Sequence, residues 1–406
     1  MAELIAPEKH ISNYIKSFDG IRGVCCISVL LVHYHFTTFN LPVSLVYISL
    51  HCFFIMSAFL ITKNLLRDKE RSKNFAQCFK IFYIKRCARI FPVYFFYLGL
   101  TIFLFLFFKI VFHKNFNVYL ELKRYGWMLF TFTYNMKMWI VLNRGYTDYL
   151  NCLQYPHLWS LSLEEQFYII IIFLAWIGNK RFLQILSIFM IVVVPIVRIA
   201  GYTLLNGVTH DEHLKTLLLW QSTYFQFDAF FYGIALIVFD HKKTKVYLYL
   251  FGSVLLFIAL WGFTNAYLSS MHTGQSIFVT LRNDEYFYSN YSYLFIDSVV
   301  NFFCVIWFLS VIYYPEKFTW IVNNTIVKFG ELSYGLYVFQ FLFLPVGLAV
   351  AFIMHTKLHL PSLVSDLIGA ASYILMNFYF SRFIFIRLET PILLYRDKLL
   401  KKVYAQ

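Results

Sequence analysis

The chain has 406 residues, of which 60% are hydrophobic, 21% aromatic and only 14% charged, a composition that excludes an ordinary soluble domain. Its net charge of +14 would suggest nucleic acid in a soluble protein. Here the Lys and Arg cluster in short stretches between apolar runs, as membrane topology requires, so no nucleic-acid partner is expected.

Residues 1–20 are polar with mixed charge, and no small-residue cleavage site follows the next apolar run. They read as a cytoplasmic segment and not as a cleaved signal. The predicted class is all-α: a polytopic membrane bundle of about ten transmembrane helices with both termini cytoplasmic. The candidate spans are 21–38, 43–65, 91–112, 161–178, 182–205, 222–239, 246–263, 293–313, 330–353 and 365–386. The aromatic stretch 126–142 contains Lys137 and is a weaker candidate, expected to be re-entrant or interfacial.

Orientation follows from the basic segments. The 63–89 loop carries Lys63, Arg67, Lys69, Arg71, Lys73, Lys80, Lys85, Arg86 and Arg89, and Lys180, Arg181, the KKTK run at 242–245 and the tail after Arg387 continue the series. All fall on the cytoplasmic side if 126–142 does not cross. The expected organisation is a cytoplasmic segment 1–20, a transmembrane domain 21–386 and a basic cytoplasmic tail 387–406. The seven cysteines, Cys25, Cys26, Cys52, Cys78, Cys87, Cys152 and Cys304, have no metal-ligand spacing and read as packing residues, with neither disulfide nor zinc expected.

Polar residues inside the apolar runs are the candidate functional groups. Arg22 and His33 stand eleven positions apart in the first run. That step is three helical turns plus about 20°, so the two share a face roughly 16 Å apart. His33 falls past the bilayer midplane on this reading and is either a polar bridge to a neighbouring helix or a group suited to general-base work, its pKa lying near neutrality. Arg22 is either a ligand-holding group or a cytoplasmic-edge anchor. His35 faces away and reads as packing or interfacial.

Arg86 and Arg89 are three apart on one helical face and suit bidentate phosphate contacts, or serve only as topology determinants. In LWSLSLEEQFYI, Ser160 or Ser162 can cap a helix with Glu164 or Glu165 behind it. A second carboxylate and Gln166 exceed what a cap needs, and one of them could orient a histidine or bind a sugar hydroxyl. Arg198 is expected in the bundle interior. Asp228 and Asp297 either pair with arginines or belong to the active site. The 264–292 loop, rich in Tyr, Asn and Ser, would suit sugar contacts or simple exposure.

Together these segments resemble the acyltransferase-3 family of integral membrane acyltransferases. The resemblance rests on Phe18–Gly23 (FDGIRG) running to His33, Phe53–Thr62 (FFIMSAFLIT, with Ala58 where glycine is usual) and the RxxR pair Arg86 and Arg89. It extends through Trp159–Tyr168 (WSLSLEEQFY), Phe227–Gly233 (FDAFFYG), Gly330–Tyr337 (GELSYGLY) and Leu388–Pro391 (LETP). Where many members read Tyr-Leu-Trp-His, this chain has Tyr337, Val338, Phe339 and Gln340.

The resemblance implies transfer of an acyl group, usually acetyl, from cytosolic acyl-CoA to a hydroxyl of an extracytoplasmic carbohydrate. Acyl-CoA is then a donor substrate, with no permanently bound cofactor and no metal. The acceptor is a surface glycan, such as lipopolysaccharide O-antigen, or its lipid-linked precursor, and membrane lipids surround the protein in a bacterial inner membrane. His33 and Glu165 are the expected catalytic residues, and Arg22, Arg86 and Arg89 the expected acyl-CoA-binding residues. Asp19, Ser162, Gln166, Arg198 and Asp228 are the expected supporting residues. Some members carry a fused SGNH esterase-like domain, which is not expected here. A glycan or lipid flippase is the alternative.

Overall fold

The computed structural model describes residues 8–34, 36–37, 41, 44–112, 118–144, 155–209, 212–277, 280 and 292–405. His35, Cys152 and most of 278–291 lie outside them, so the readings of those residues have no structural counterpart. Among the described residues the regular structure is entirely helical.

The helices, in chain order, are α1 (Glu8–His33), α2 (Ser44–Arg71), α3 (Phe75–Phe112), α4 (Val118–Phe130), α5 (Lys137–Arg144), α6 (Leu158–Ile177), α7 (Lys180–Asn206) and α8 (Glu212–Gln221). They continue with α9 (Thr223–Val238), α10 (Val246–Thr273), α11 (Ser292–Tyr313), α12 (Asn324–Glu331), α13 (Ser333–Thr356), α14 (Ser362–Ile384) and α15 (Thr390–Ala405). Among the described residues, eight continuous helical stretches are long and apolar enough to cross a membrane: those of α2, α3, α6, α7, α10, α11 and α13, and Ser362–Tyr404 across α14 and α15. Their lipid-suited faces expose residues such as Phe103, Ile110, Ile185 and Leu256.

Several expected boundaries move. The first span is the C-terminal part of a helix that begins at Glu8, and His33 is its last residue, not an interior one. No Gly or Pro interrupts residues 8–19, so the helix runs on beyond the apolar stretch. With Lys16, Asp19 and Arg22 on it, α1 is not among the eight. The second missing span, 222–239, is α9, an apolar helix shorter than the rest.

The 63–89 basic loop is also helical: α2 runs to Arg71 and α3 begins at Phe75. Again no Gly or Pro stands in that stretch, so both helices overshoot the apolar core. Ser362–Tyr404 similarly passes through a π turn at Phe385–Glu389, and the expected basic tail is helical. The stretch 126–142 breaks into α4, a 3-10 turn at Tyr134–Met136 and α5, each shorter than the eight spans.

The chain divides into two compact units, residues 1–56 with 240–382, and residues 57–239 with 383–406. In the first unit α1 packs along α12 with almost no gap. A Cβ on Gly23 would overlap the carbonyl oxygen of Ile326, and one on Gly330 would overlap that of Asp19. Two family-like motifs, FDGIRG and GELSYGLY, therefore meet because their glycines let two backbones touch. Farther along α1, Tyr34 is buried and its hydroxyl donates to the Gly347 carbonyl at 3.5 Å. The Cys52 and Cys304 sulfurs lie 3.0 Å apart, and the described cysteines are free thiols.

In the second unit Arg198 and Asp228 are both fully buried and paired at 3.1 Å, joining α7 to α9. The guanidinium also donates to the Phe225 carbonyl, from Nε at 3.0 Å. Glu121 and Lys137 form another buried pair at 3.0 Å, with the Tyr134 hydroxyl donating to Glu121. Unpaired, each of these charges would be costly in an apolar interior, which explains why they come as couples. Asp68, Lys85 and Tyr404 tie α2, α3 and α15 together, with Lys85 Nζ 2.6 Å from Asp68 Oδ2 and the Tyr404 hydroxyl 2.8 Å from Oδ1.

Candidate active site

The expected site residues fall into two clusters, one in each unit. In the first unit α1 places Arg22 and His33 on one helix, and both are partly exposed. Arg22 pairs with Asp19 one turn earlier, at 3.4 Å, so this expected supporting residue is the arginine's counter-ion. His33 ends the helix and points its Nδ1 at the Oε1 of Gln340, 2.9 Å away, with the Phe341 ring at 5.3 Å.

Gln340 is 1% exposed on α13, which is held to α14 by the Asn377 side-chain amide donating to the Leu336 carbonyl at 2.9 Å. An amide oxygen can only accept, so Nδ1 of His33 carries a proton, and in the neutral ring Nε2 holds the lone pair. That is the tautomer a general base needs. The position where the sequence departs from Tyr-Leu-Trp-His thus supplies the partner of the expected base. Sequence reasoning registered the departure and missed this role.

Also in the first unit, His51 is fully buried. Its Nδ1 lies 2.7 Å from the Asn301 Oδ1 and its Nε2 3.6 Å from Asp297. Asp297 therefore faces a histidine. No apolar-run argument singled out His51, because its partners stand some 250 positions away.

In the second unit three motif segments converge. The Ser57 hydroxyl of FFIMSAFLIT donates to Glu164 of WSLSLEEQFY. Arg86 stacks over the Phe82 and Tyr168 rings at 5.9 and 5.7 Å, and its charge acts on Glu165. Glu165 is 8% exposed, and its buried Oε1 has no hydrogen-bond partner among the described residues. A buried carboxylate left short of donors is costly unless a ligand completes it. Arg89 forms an ion pair with Glu389 of the LETP segment, a residue sequence reasoning did not rank.

The expected capping box does not form. The helix α6 begins at Leu158, with His157 at the N-cap position making no side-chain cap bond, so Ser160 and Ser162 already lie inside the helix, donating back to the carbonyls of His157 and Leu158 at 3.1 and 3.2 Å. The helix starts earlier than the serines, and that frees Glu164 and Glu165 for other partners. Gln166 is a brace: its Nε2 donates to the Phe132 carbonyl and to Asn135 Oδ1, both at 2.9 Å, and it accepts from Thr223. Phe132 has φ 53°, a left-handed conformation that a bulky residue holds only when its surroundings fix it. Arg198 and Asp228 pair with one another, as described.

The family comparison matches residues 15–382 to an acyltransferase domain. The chain belongs to the acyltransferase-3 family. That match takes in six of the seven motif segments; the seventh, LETP, follows it. The family accounts for an integral membrane protein with several apolar helices.

The chain is also similar to peptidoglycan O-acetyltransferase OatA of Listeria monocytogenes, 27% identical over 184 residues, which is 43% of this chain and 27% of that protein. It is similar to the putative peptidoglycan O-acetyltransferase YrhL of Bacillus subtilis, 28% identical over 162 residues, 39% of this chain and 23% of that one. An uncharacterized protein of Haemophilus influenzae is 24% identical over 198 residues, 48% of this chain and 76% of that protein. The alignments thus span about a quarter of each named relative. No solved structure matches the acyltransferase-3 chain.

Proposed function

We propose that this protein is a membrane O-acyltransferase that moves an acyl group, most simply acetyl, from cytosolic acyl-CoA to a hydroxyl of an extracytoplasmic glycan. The observation that carries the reading is the 2.9 Å contact between His33 Nδ1 and Gln340 Oε1, which makes Nε2 the basic nitrogen of the neutral ring, the atom that takes a proton from a hydroxyl. Family membership supplies the reaction class. The printed names of two relatives, both peptidoglycan O-acetyltransferases, support a polysaccharide acceptor. Here the acceptor is a surface glycan such as lipopolysaccharide O-antigen or its lipid-linked precursor, and the membrane is the bacterial inner membrane with both termini cytoplasmic.

Donor binding falls to Arg86 and Arg89, since paired guanidinium groups suit the phosphates of CoA. Glu165, short of donors and under the influence of Arg86, accepts a hydrogen bond from substrate. The acceptor oxygen attacks the thioester carbon while His33 Nε2 takes its proton. Loss of the C–S bond then releases CoA thiolate, which recovers that proton. Holding donor and acceptor together supplies much of the rate.

The test is incorporation of labelled acetyl from acetyl-CoA into glycan by membranes holding wild type or His33→Ala. The variant is expected to fall to roughly a hundredth or less, the scale of a lost general base. Full transfer by the variant refutes the assignment, and glycan movement without acyl transfer favours a flippase.

A further inference from the structure

Gln340 has two ends, and only one is accounted for. Its Oε1 accepts from His33, while its Nε2 is buried with no hydrogen-bond partner among the described residues. A buried amide N–H2 without an acceptor is costly, so such a group is retained where something supplies the acceptor. It is also held rigidly. Gln340 is 1% exposed, one residue beyond Phe339, whose ring packs edge-on against Phe380 at 5.0 Å.

We infer that the Nε2 amide of Gln340 is the oxyanion donor of the reaction, hydrogen-bonding the acyl carbonyl oxygen as it gains charge. The inference rests on His33 being the base. One side chain then serves both halves of the step: its oxygen holds the imidazole, and its nitrogen meets the carbonyl of the group the imidazole helps to attack.

The electrons balance without another reactant. The acceptor oxygen forms the new C–O bond, the carbonyl π pair moves onto oxygen beside Gln340 Nε2, and the hydroxyl proton passes to His33 Nε2. The pair then re-forms the carbonyl, the C–S bond breaks, and the CoA sulfur takes the proton from His33. A donor placed for the oxyanion strengthens its bond in the transition state, and losing one such donor costs on the order of a hundred- to a thousandfold in kcat.

Gln340→Glu separates the two roles, because a carboxylate still accepts from Nδ1–H but cannot donate. The expected result is a fall of about a hundredfold in kcat at every pH, with the apparent KM for acetyl-CoA little changed. Gln340→Met, lacking both functions, falls at least as far. A direct readout is the infrared carbonyl stretch of S-acetonyl-CoA, a non-transferable ketone analogue, bound to full-length protein in detergent. The stretch is expected at lower frequency on wild type than on either variant.

An identical stretch in all three proteins overturns the inference, as does a Gln340→Glu rate near wild type, which would leave the side chain an orienting role alone. Melting temperatures of the variants confirm that the fold persists. Failure of the base assignment is read separately: His33→Ala would transfer fully, while the carbonyl shift on wild type would remain.

Discussion

Arg89 and Glu389, 300 positions apart, form an ion pair within the second unit, joining the RxxR segment to the LETP segment. The Glu389 side chain is 4% exposed and that of Arg89 33%. The arginine therefore has a structural partner as well as a proposed phosphate ligand. Arg89→Ala leaves a buried carboxylate uncompensated and is expected to destabilise by about 3–5 kcal/mol. Adding Glu389→Gln should recover much of the melting temperature. If Arg89 also holds the donor, the double variant keeps a raised KM for acetyl-CoA; a KM returning to wild type would leave Arg89 structural only.

Glu165 should show opposite responses in stability and activity. Its buried Oε1 lacks a hydrogen-bond partner among the described residues, so a charge there is a burden on the folded state. Glu165→Gln keeps the shape and removes the charge. The variant is expected to melt at the same temperature as wild type or higher, while transfer falls at least about tenfold. Thermal melting in detergent and labelled-acetyl transfer measure the two. Lower stability with full transfer would make Glu165 a structural residue.

Arg198 and Asp228 are expected to behave as a structural couple. Both are fully buried, and the guanidinium also satisfies the Phe225 carbonyl. Asp228→Asn should cost about 3–5 kcal/mol by stranding the arginine, and Arg198→Lys should fail to substitute because it lacks the fork. The pair Arg198→Met with Asp228→Leu should be milder than either single loss. If Asp228→Asn instead leaves the melting temperature unchanged while abolishing transfer, the aspartate belongs to the chemistry.

Much of this was legible from residue order. Apolar runs announced the spans, and helical spacing put Arg22 with His33 and Arg86 with Arg89, because those relations depend only on the pitch of one helix. Boundaries were less legible. The ends of α1, α2, α3 and the last helix lie beyond the apolar stretches, since their polar extensions 8–19, 63–71, 75–89 and 392–405 contain no Gly or Pro to stop the helix where hydrophobicity ends. The serines of WSLSLEEQFY looked like caps only while the start of α6 was misplaced by a few residues.

By itself the sequence determined the class and the family, for both are written in local pattern. Tertiary structure alone decided the partners. That Gln340 holds His33, that Glu389 holds Arg89 and that Asp19 touches the backbone of Gly330 are contacts between segments some 300 positions apart. Helical periodicity relates residues within one helix and says nothing about which helix lies beside it. That choice is made by packing, where small residues permit close approach and buried charges demand a counter-ion.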